Sequence, residues 1–415
     1  MKKQNKIDRR NFLKAMGAAG LGSVVTSAKI KAGPNEPPTE KTQQPELPQV
    51  PKRKLGKTGI EVPCLAVGTM FDVGENQIVL IKALRWGVSY WDSAYGYSGG
   101  NSELGIGKFI SRNPEMRKDL FITSKASNAR KEPSPQAIVK KVEERLQASL
   151  KRMNTNYIDL YYGVHGLSDP AQLNDELRRW VEDAKKRKLI RFFGFSTHRN
   201  MAQCLEAAAK LDWIDAVMTS YNFRLMQDAE LQAAVDACHK AGIGVIAMKT
   251  QAKEIQTEKD KKLTEHFLKK GFTEGQAKLK AVLDDKRITT ACVGRDNIAH
   301  LTLNIAAALD KTEITQADMN VFAEYANATC TGYCAGCAHI CDSALPDTPY
   351  VSDIMRYLMY YNSYGDRQHA RELFAQIPGS VRNKLLAIDY STAEARCPQQ
   401  IPIAKAVAEA VGKLA

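Results

Sequence analysis

The chain has 415 residues, 44% of them hydrophobic and 25% charged. That ordinary globular composition excludes a disordered chain, a collagen-like fibre and a small disulfide knot. Lys and Arg number 59 against 46 Asp and Glu, a formal +13, yet no basic run with interleaved aromatics occurs, so no nucleic-acid partner is expected. No apolar stretch approaches the roughly 18 residues of a membrane span, so a membrane-spanning protein is not expected either.

Part of the excess charge sits at the start. Residues 1–28 carry Lys2, Lys3, Lys6, Arg9, Arg10 and Lys14 against Asp8, a net +5. Arg9-Arg10 followed by Phe12-Leu13-Lys14, the mildly apolar stretch 15–25 and small residues up to Ala28 resemble a twin-arginine signal peptide. Asp8 stands where such signals usually have Ser or Thr. The resemblance implies recognition by the twin-arginine export machinery and a periplasmic location for an already folded protein; the bland alternative is a basic leader. Segment 29–51 holds Pro34, Pro37, Pro38, Pro45, Pro48 and Pro51, a stiff extended tether.

From residue 52 onward, β-rich runs alternate with helical patterns. The runs are 64–67, 88–91, 120–124, 157–162, 191–195, 214–218, 244–248 and 288–293. Between them, 135–150 repeats Ile138, Val142, Leu146 and Leu150 at four-residue steps, with Ser134 placed to cap its start and Pro135 suited to its first turn. Further helices are predicted near 75–85, 172–187, 200–210, 228–241, 274–284 and 297–309. Eight strand–helix units in about 260 residues predict an α/β fold, a closed (β/α)₈ barrel of the TIM type. No GxGxxG joins a strand to a helix, which speaks against a doubly wound dinucleotide fold.

In such barrels the chemistry lies at the C-terminal strand ends. Those ends carry Asp92, Lys125 and His165, with Tyr97 in the loop after Asp92. A phenol with a pKa of about 10 is a poor acid–base near neutrality. An adjacent ammonium is expected to lower it by roughly 1–3 units. Asp92 would hold Lys125, and His165 would orient a substrate carbonyl. Singly these are a turn residue, a solvated lysine and a packed histidine; together on consecutive strand ends they point to a site.

At these residues the chain resembles the aldo-keto reductase family. The carriers are Leu55-Gly56-Lys57-Thr58-Gly59, Gly68-Thr69-Met70, Trp91-Asp92-Ser93-Ala94 through Tyr97, Asn101-Ser102-Glu103-Leu104-Gly105, Lys125 and His165. The resemblance covers approximately residues 52–310. It implies reversible hydride transfer between NAD or NADP and a small carbonyl or alcohol substrate, with a catalytic tetrad of Asp92, Tyr97, Lys125 and His165. The cofactor-binding residues it implies are Gly68, Thr69, Met70, Ser196, Tyr221, Met248, Lys249, Gly294, Arg295 and Asn304. The chain departs from the family's pattern at Thr197, Met218, Met248-Lys249 and His300, so the choice between NADP and NAD stays open, with Arg295 the candidate for a phosphate.

Four cysteines, Cys64, Cys204, Cys238 and Cys292, are scattered through the barrel and predicted to be packing residues. The other five lie in the tail. Cys330-x₃-Cys334-x₂-Cys337-x₃-Cys341 resembles a bacterial ferredoxin run with one extra residue in its first gap, and Cys397-Pro398 resembles the Cys-Pro that closes one. The resemblance implies one 4Fe–4S cluster on Cys330, Cys334, Cys337 and Cys397, with Cys341 as the alternative fourth ligand. Disulfides, structural zinc and a radical-SAM site are the rivals; five tail cysteines leave one unpaired, the zinc spacing is incomplete, and a radical-SAM motif belongs early in its barrel. The stretch 355–374 is predicted helical, with Tyr357, Tyr360, Tyr361 and Tyr364 as packing aromatics.

The expected organisation is a signal (1–28), a linker (29–51), a reductase-like barrel (52–318) and a small helical, ferredoxin-like domain (319–415) that passes electrons to a redox partner. The alternative from another class is a non-catalytic barrel serving as a binding or electron-transfer partner of a membrane redox complex.

Overall fold

A computed structural model of the chain describes residues 47–252, 260–294, 297–348 and 350–415. The proposed signal, nearly all of the proline-rich tether, and Arg295 lie outside the described residues.

A two-stranded antiparallel hairpin, β1 (Lys52–Lys54) and β2 (Glu61–Pro63), opens the fold, with Lys52 opposite Pro63. Eight parallel strands then close a barrel: β3 (Leu65–Gly68), β4 (Tyr90–Asp92), β5 (Phe121–Lys125), β6 (Ile158–Leu167), β7 (Ile190–Thr197), β8 (Ala216–Ser220), β9 (Gly244–Met248) and β10 (Ile288–Gly294). All eight predicted runs are strands, and β10 pairs back onto β3 with Gly294 opposite Gly68. Strand alternation divides the core. One set of side chains fills the barrel, including Tyr90, Leu160, Tyr162, Met218 and Ile246, and the hairpin's Leu55 and Val62 join it from below. The other set packs against the helices.

The helix Pro135–Arg152 shows why the outer layer forms. Ser134 Oγ accepts the Ala137 N–H at 3.2 Å and Pro135 opens the first turn. Ile138, Val142, Leu146 and Leu150 are all buried, each contributing about 1.5–3 kcal/mol of transfer free energy. The helix Asn101–Arg112 was absent from the predicted set; it begins directly after the turn carrying Tyr97.

The boundary between the two cores lies later than the sequence suggested. The helix Gln316–Ala328 belongs to the barrel's core: Phe322 stacks between Phe223 and Phe267, with ring centroids at 5.1 and 4.7 Å. A second core starts at Cys341 and runs to Leu414, built on helices Val351–Met359, Arg367–Ala375, Ser391–Arg396 and Ile403–Leu414. A π-helical turn, Tyr360–Tyr364, links the first two.

This helical unit sits over the C-terminal mouth of the barrel. Arg199, just past β7, bridges Asp353 at 2.5 Å and Asp342 at 2.8 Å, both nearly fully buried. Lys131 reaches Gln376 at 2.7 Å. Gly336 packs so closely on the barrel that a Cβ there would lie 2.2 Å from the His198 carbonyl oxygen, and its φ of +82° also favours glycine.

Candidate active site

Asp92 ends β4 and Lys125 ends β5, so two neighbouring strands deliver them to the same rim. Tyr97 arrives on a sharp turn, in which Ser98, Gly99 and Gly100 all have left-handed backbone (φ 48°, 63° and 103°). At Gly100 a Cβ would also press on the Arg152 guanidinium at 3.0 Å. Arg152 itself anchors the turn: it donates to the Tyr95 carbonyl at 2.8 Å and pairs with buried Glu103 at 3.2 Å, while Ser124 Oγ donates to the other Glu103 oxygen at 2.6 Å.

Lys125 is buried, and all three hydrogens of its ammonium are accounted for. They go to Asp92 Oδ2 at 2.6 Å, the Ser93 carbonyl at 2.7 Å and Tyr97 Oη at 3.2 Å. An ammonium only donates, so the Tyr97 oxygen accepts, and its own hydrogen is free to point elsewhere. Burial works against the Lys125 charge, but the Asp92 carboxylate and the Tyr97 oxygen outweigh it and hold the group above its ordinary value.

Tyr97 behaves differently from the expectation. Lys125 does pull its pKa down, but desolvation is the larger effect and the Asp92 charge adds to it, so the phenol is pushed up to about 12. The free site therefore holds a neutral phenol beside a charged lysine.

His165 lies near the end of β6, its ring centroid 6.2 Å from that of Tyr97. Desolvation first, then the charges of Lys125 and Arg130, keep the imidazole well below its usual pKa, so it is neutral near pH 7. Ser127 Oγ stands 3.2 Å from His165 Nδ1 and accepts the Gly96 N–H at 3.2 Å. When the Ser127 hydroxyl donates to Nδ1, the imidazole proton sits on Nε2. Ser127 was not singled out in the sequence; its position two residues after Lys125 was the signal.

These groups open onto a cavity of about 560 Å³. On its β8–β9–β10–β3 side lie the bare backbones of Gly68 and Gly294, register partners on adjacent strands, with Met70, Met218, Met248 and the Asn304 amide. At Gly68 a Cβ would already touch Cys292 Sγ at 3.2 Å and Gly294 Cα at 3.3 Å. Glycine-floored and flanked by thioethers, this seat fits a flat ring such as nicotinamide. Lys249, at φ 55°, lines the same wall. Cys292, predicted to be packing, lines the cavity as well.

Three expected cofactor contacts fall elsewhere. Thr69 Oγ1 donates to the Asp92 carbonyl at 3.0 Å and continues through Ser102 to Ser93, bracing the rim from behind. Ser196 Oγ accepts the Gly166 N–H at 3.1 Å and does not line the cavity. Tyr221 faces outward, its hydroxyl donating to Asp285 at 2.6 Å and standing 3.1 Å from the Gln232 amide oxygen. The cause is the two-residue period of β8: Ala216 and Met218 point into the barrel, Val217 and Tyr221 into the helix layer.

In the tail, Cys334, Cys337, Cys341 and Cys397 line one small cavity walled by Ile340, Val351, Met355, Ile401 and Ile403. Cys330 does not line it, so the converging group exchanges Cys330 for Cys341. Cys337 caps the short helix Ala338–Cys341, and the four-residue step puts Cys337 and Cys341 on one face. Burial raises the Cys334 thiol to about 12 and Cys337 to about 11, with the neighbouring sulfurs adding to the effect, and it raises Cys341 further. Among the described residues no cation lines this cavity. As the side chains stand, no group of three or more His, Cys, Asp or Glu poised to hold a metal ion occurs among the described residues. A set of four thiols in an apolar wall is nevertheless the donor chemistry an iron–sulfur cluster requires.

Comparison with known proteins places the barrel. The sequence pattern of the Aldo/keto reductase family matches residues 68–324. The aldo-keto reductase AFTS1 of Alternaria alternata is 24% identical over 249 residues, covering 51% of this chain and 68% of its own. A thermostable aldo-keto reductase crystallised with the inhibitor epalrestat superposes with a TM-score of 0.54 at 26% identity, covering 66% of this chain and 99% of that one. The holo form of an aldo-keto reductase from Bacillus halodurans also gives a TM-score of 0.54, at 22% identity over 67% of this chain and 96% of its own, a likeness of fold. The family match spans well over half of the chain and stops short of the second core, and on that match the chain belongs to the aldo/keto reductase family.

Proposed function

We propose that this chain is an exported oxidoreductase that interconverts a small carbonyl compound and its alcohol, with Tyr97 as the proton donor. The observation that carries the reading is the donor accounting at Lys125: the ammonium donates to Tyr97 Oη at 3.2 Å, which turns the phenol hydrogen away from it. A nicotinamide, NAD or NADP, when bound on the Gly68–Gly294 side, supplies the hydride. His165, neutral and held through Ser127, donates to the substrate oxygen from Nε2 and orients the carbonyl. Tyr97 then passes its proton to that oxygen. The phenolate left behind lies beside the Lys125 charge, which Asp92 holds in place, so the site is complementary to the product-like charge distribution.

Replacing Tyr97 with Phe tests the assignment. General acid–base groups contribute roughly 10²- to 10⁴-fold, so Tyr97→Phe is expected to lower kcat by about that factor while nucleotide affinity, followed by fluorescence titration, stays unchanged. Unaltered carbonyl turnover removes the proposal, and failure of the wild-type chain to bind either nucleotide favours the non-catalytic alternative.

For the tail the reading is a 4Fe–4S cluster held by Cys334, Cys337, Cys341 and Cys397, supplying one-electron transfer to a redox partner. Its support is their convergence on one apolar cavity. Iron and sulfide analysis of anaerobically purified protein is expected to show both elements, lost in Cys341→Ser and retained in Cys330→Ser. The reverse pattern would restore the ligand set first expected. Export rests on the Arg9-Arg10 segment and is tested by fractionating cells that express the Arg9→Lys, Arg10→Lys double variant.

A further inference from the structure

The mouth cavity carries a second set of groups that the proton and hydride chemistry leaves unused: three cations from three separate elements. Arg130 lies in the loop after β5, Lys249 follows β9, and Arg356 projects from the helix Val351–Met359 of the second core. We propose that Arg130 and Arg356, with Lys249 beside them, form an oxyanion-binding subsite, and that the substrate carbonyl therefore carries a carboxylate or a phosphate. The proposal rests on the reductase reading of the same cavity and specifies its substrate class.

Charge bookkeeping at the interface supports it. Arg199 and Arg356 share Asp353, at 2.5 and 2.6 Å, and Arg199 also takes Asp342 at 2.8 Å. Three guanidinium groups, Arg130 included, thus face two carboxylates, and both carboxylates are engaged. Among the described residues the Arg130 guanidinium forms no hydrogen bond or ion pair; only its backbone carbonyl is used, by Gln172. Burial, with Arg356 and Arg199 nearby, presses against its charge despite Asp353. An unpaired, partly desolvated guanidinium next to a second one is costly unless an anion enters.

Its position selects the substrate over the cofactor as the source of that anion. The Arg130 side chain packs on Gly166, where a Cβ would lie 3.3 Å from Nε, and Gly166 directly follows His165. An acid group held there sits next to the carbonyl that His165 orients. Lys249 lines the same cavity, its ammonium over the rings of Tyr360 and Tyr364 at 4.5 and 4.9 Å. The carboxylates that line the cavity do not cancel the set. Asp92 is consumed by Lys125. Glu372 is exposed and accepts from Gln368, and Asp366 lies on the turn just before it, beside His369.

The test uses the full chain and needs no turnover. Oxalate, a planar dianion without a reducible carbonyl, is titrated calorimetrically into wild type, Arg130→Gln, Arg356→Gln and Tyr97→Phe, with and without saturating nucleotide. Oxalate is expected to bind the wild type, to lose roughly tenfold or more in affinity in Arg130→Gln and Arg356→Gln, and to be unaffected by Tyr97→Phe and by nucleotide. The urea midpoint of Arg130→Gln, expected at or above that of wild type because an unpaired and partly desolvated charge is removed, shows that the variant folds. No oxalate binding, or equal binding by wild type and Arg130→Gln, overturns the proposal. Displacement of oxalate by nucleotide also overturns it, by assigning these cations to a cofactor phosphate. If Tyr97→Phe keeps its turnover while Arg130→Gln loses oxalate, the acid–base assignment fails and the anion subsite stands.

Discussion

A single phenol illustrates how two opposed effects are settled by their sizes. Lys125 stabilises the Tyr97 phenolate, as the adjacent ammonium suggests, but desolvation is larger and leaves the group at about 12. The consequence is directional. Carbonyl reduction uses the neutral phenol, which is half populated only at about 12 and predominates below it, so Tyr97 imposes no fall in the reduction rate between pH 6 and 10. Alcohol oxidation needs the phenolate, and its rate is expected to rise roughly tenfold per pH unit while other groups hold constant. Paired pH–rate profiles check this; a fall in reduction with a midpoint near pH 7–8 that is absent in Tyr97→Phe would contradict it. Cys341 shows the same dependence on surroundings. It is equal to Cys330 as a thiol, but it lies on the helical face shared with Cys337.

Among the elements, the helix Val351–Met359 has two roles. Its Ile354, Tyr357 and Leu358 belong to the second core, while Asp353 and Arg356 face the barrel and Tyr357 also lines the mouth. Docking depends on Arg199, whose side chain is only 16% exposed and which serves two carboxylates with side chains at 5% and 4% exposure. Removing it leaves Asp342 buried without its charge partner, and Asp353 with Arg356 alone. Breaking such a buried pair typically costs about 3–5 kcal/mol. Arg199→Ala is therefore expected to lower the urea midpoint and to unfold the C-terminal helices before the barrel, seen as a separate early change in tyrosine fluorescence. A single transition at the wild-type midpoint would mean the pair is not what holds the two cores together.

For the molecule as a whole, acid sensitivity follows from where its histidines sit. His165 and His198 both line the mouth cavity, and desolvation, then nearby cations (Lys125 and Arg130 for the first, Lys249 and Arg356 for the second), holds both well below 6.5. Below that pH the unfolded chain binds protons that the folded chain refuses. The stabilisation is complete above 6.5 and is lost as pH falls, by at most about 1.4 kcal/mol per histidine per unit. The carboxylates held low, Asp318 and Asp353 among them, add the same sign only near and below about pH 4, whereas Asp92 and Asp342, raised by burial, act in the opposite sense, so the histidine share is read from a His variant. Urea midpoints at pH 7.5 and 5.5 are expected to differ accordingly, and His198→Gln to reduce the difference; equal midpoints would sink the idea.

Periodicity and strand-end position were enough to locate the barrel and to bring Asp92, Tyr97, Lys125 and His165 to one rim, because alternation and the parallel register are local properties repeated eight times. The same alternation, carried one residue further, would have turned Tyr221 outward and Met218 inward. What could not be read along the chain was the roof of the cavity. Tyr357, Tyr360 and Tyr364 pack with the second core, as their helical spacing predicts, and they line the mouth as well. Arg130 and Arg356 are 226 positions apart and become neighbours through docking. A hydrophobic pattern reports which face of an element must be buried; which surface covers it, and which charges meet there, depends on contacts between distant segments that no local pattern encodes.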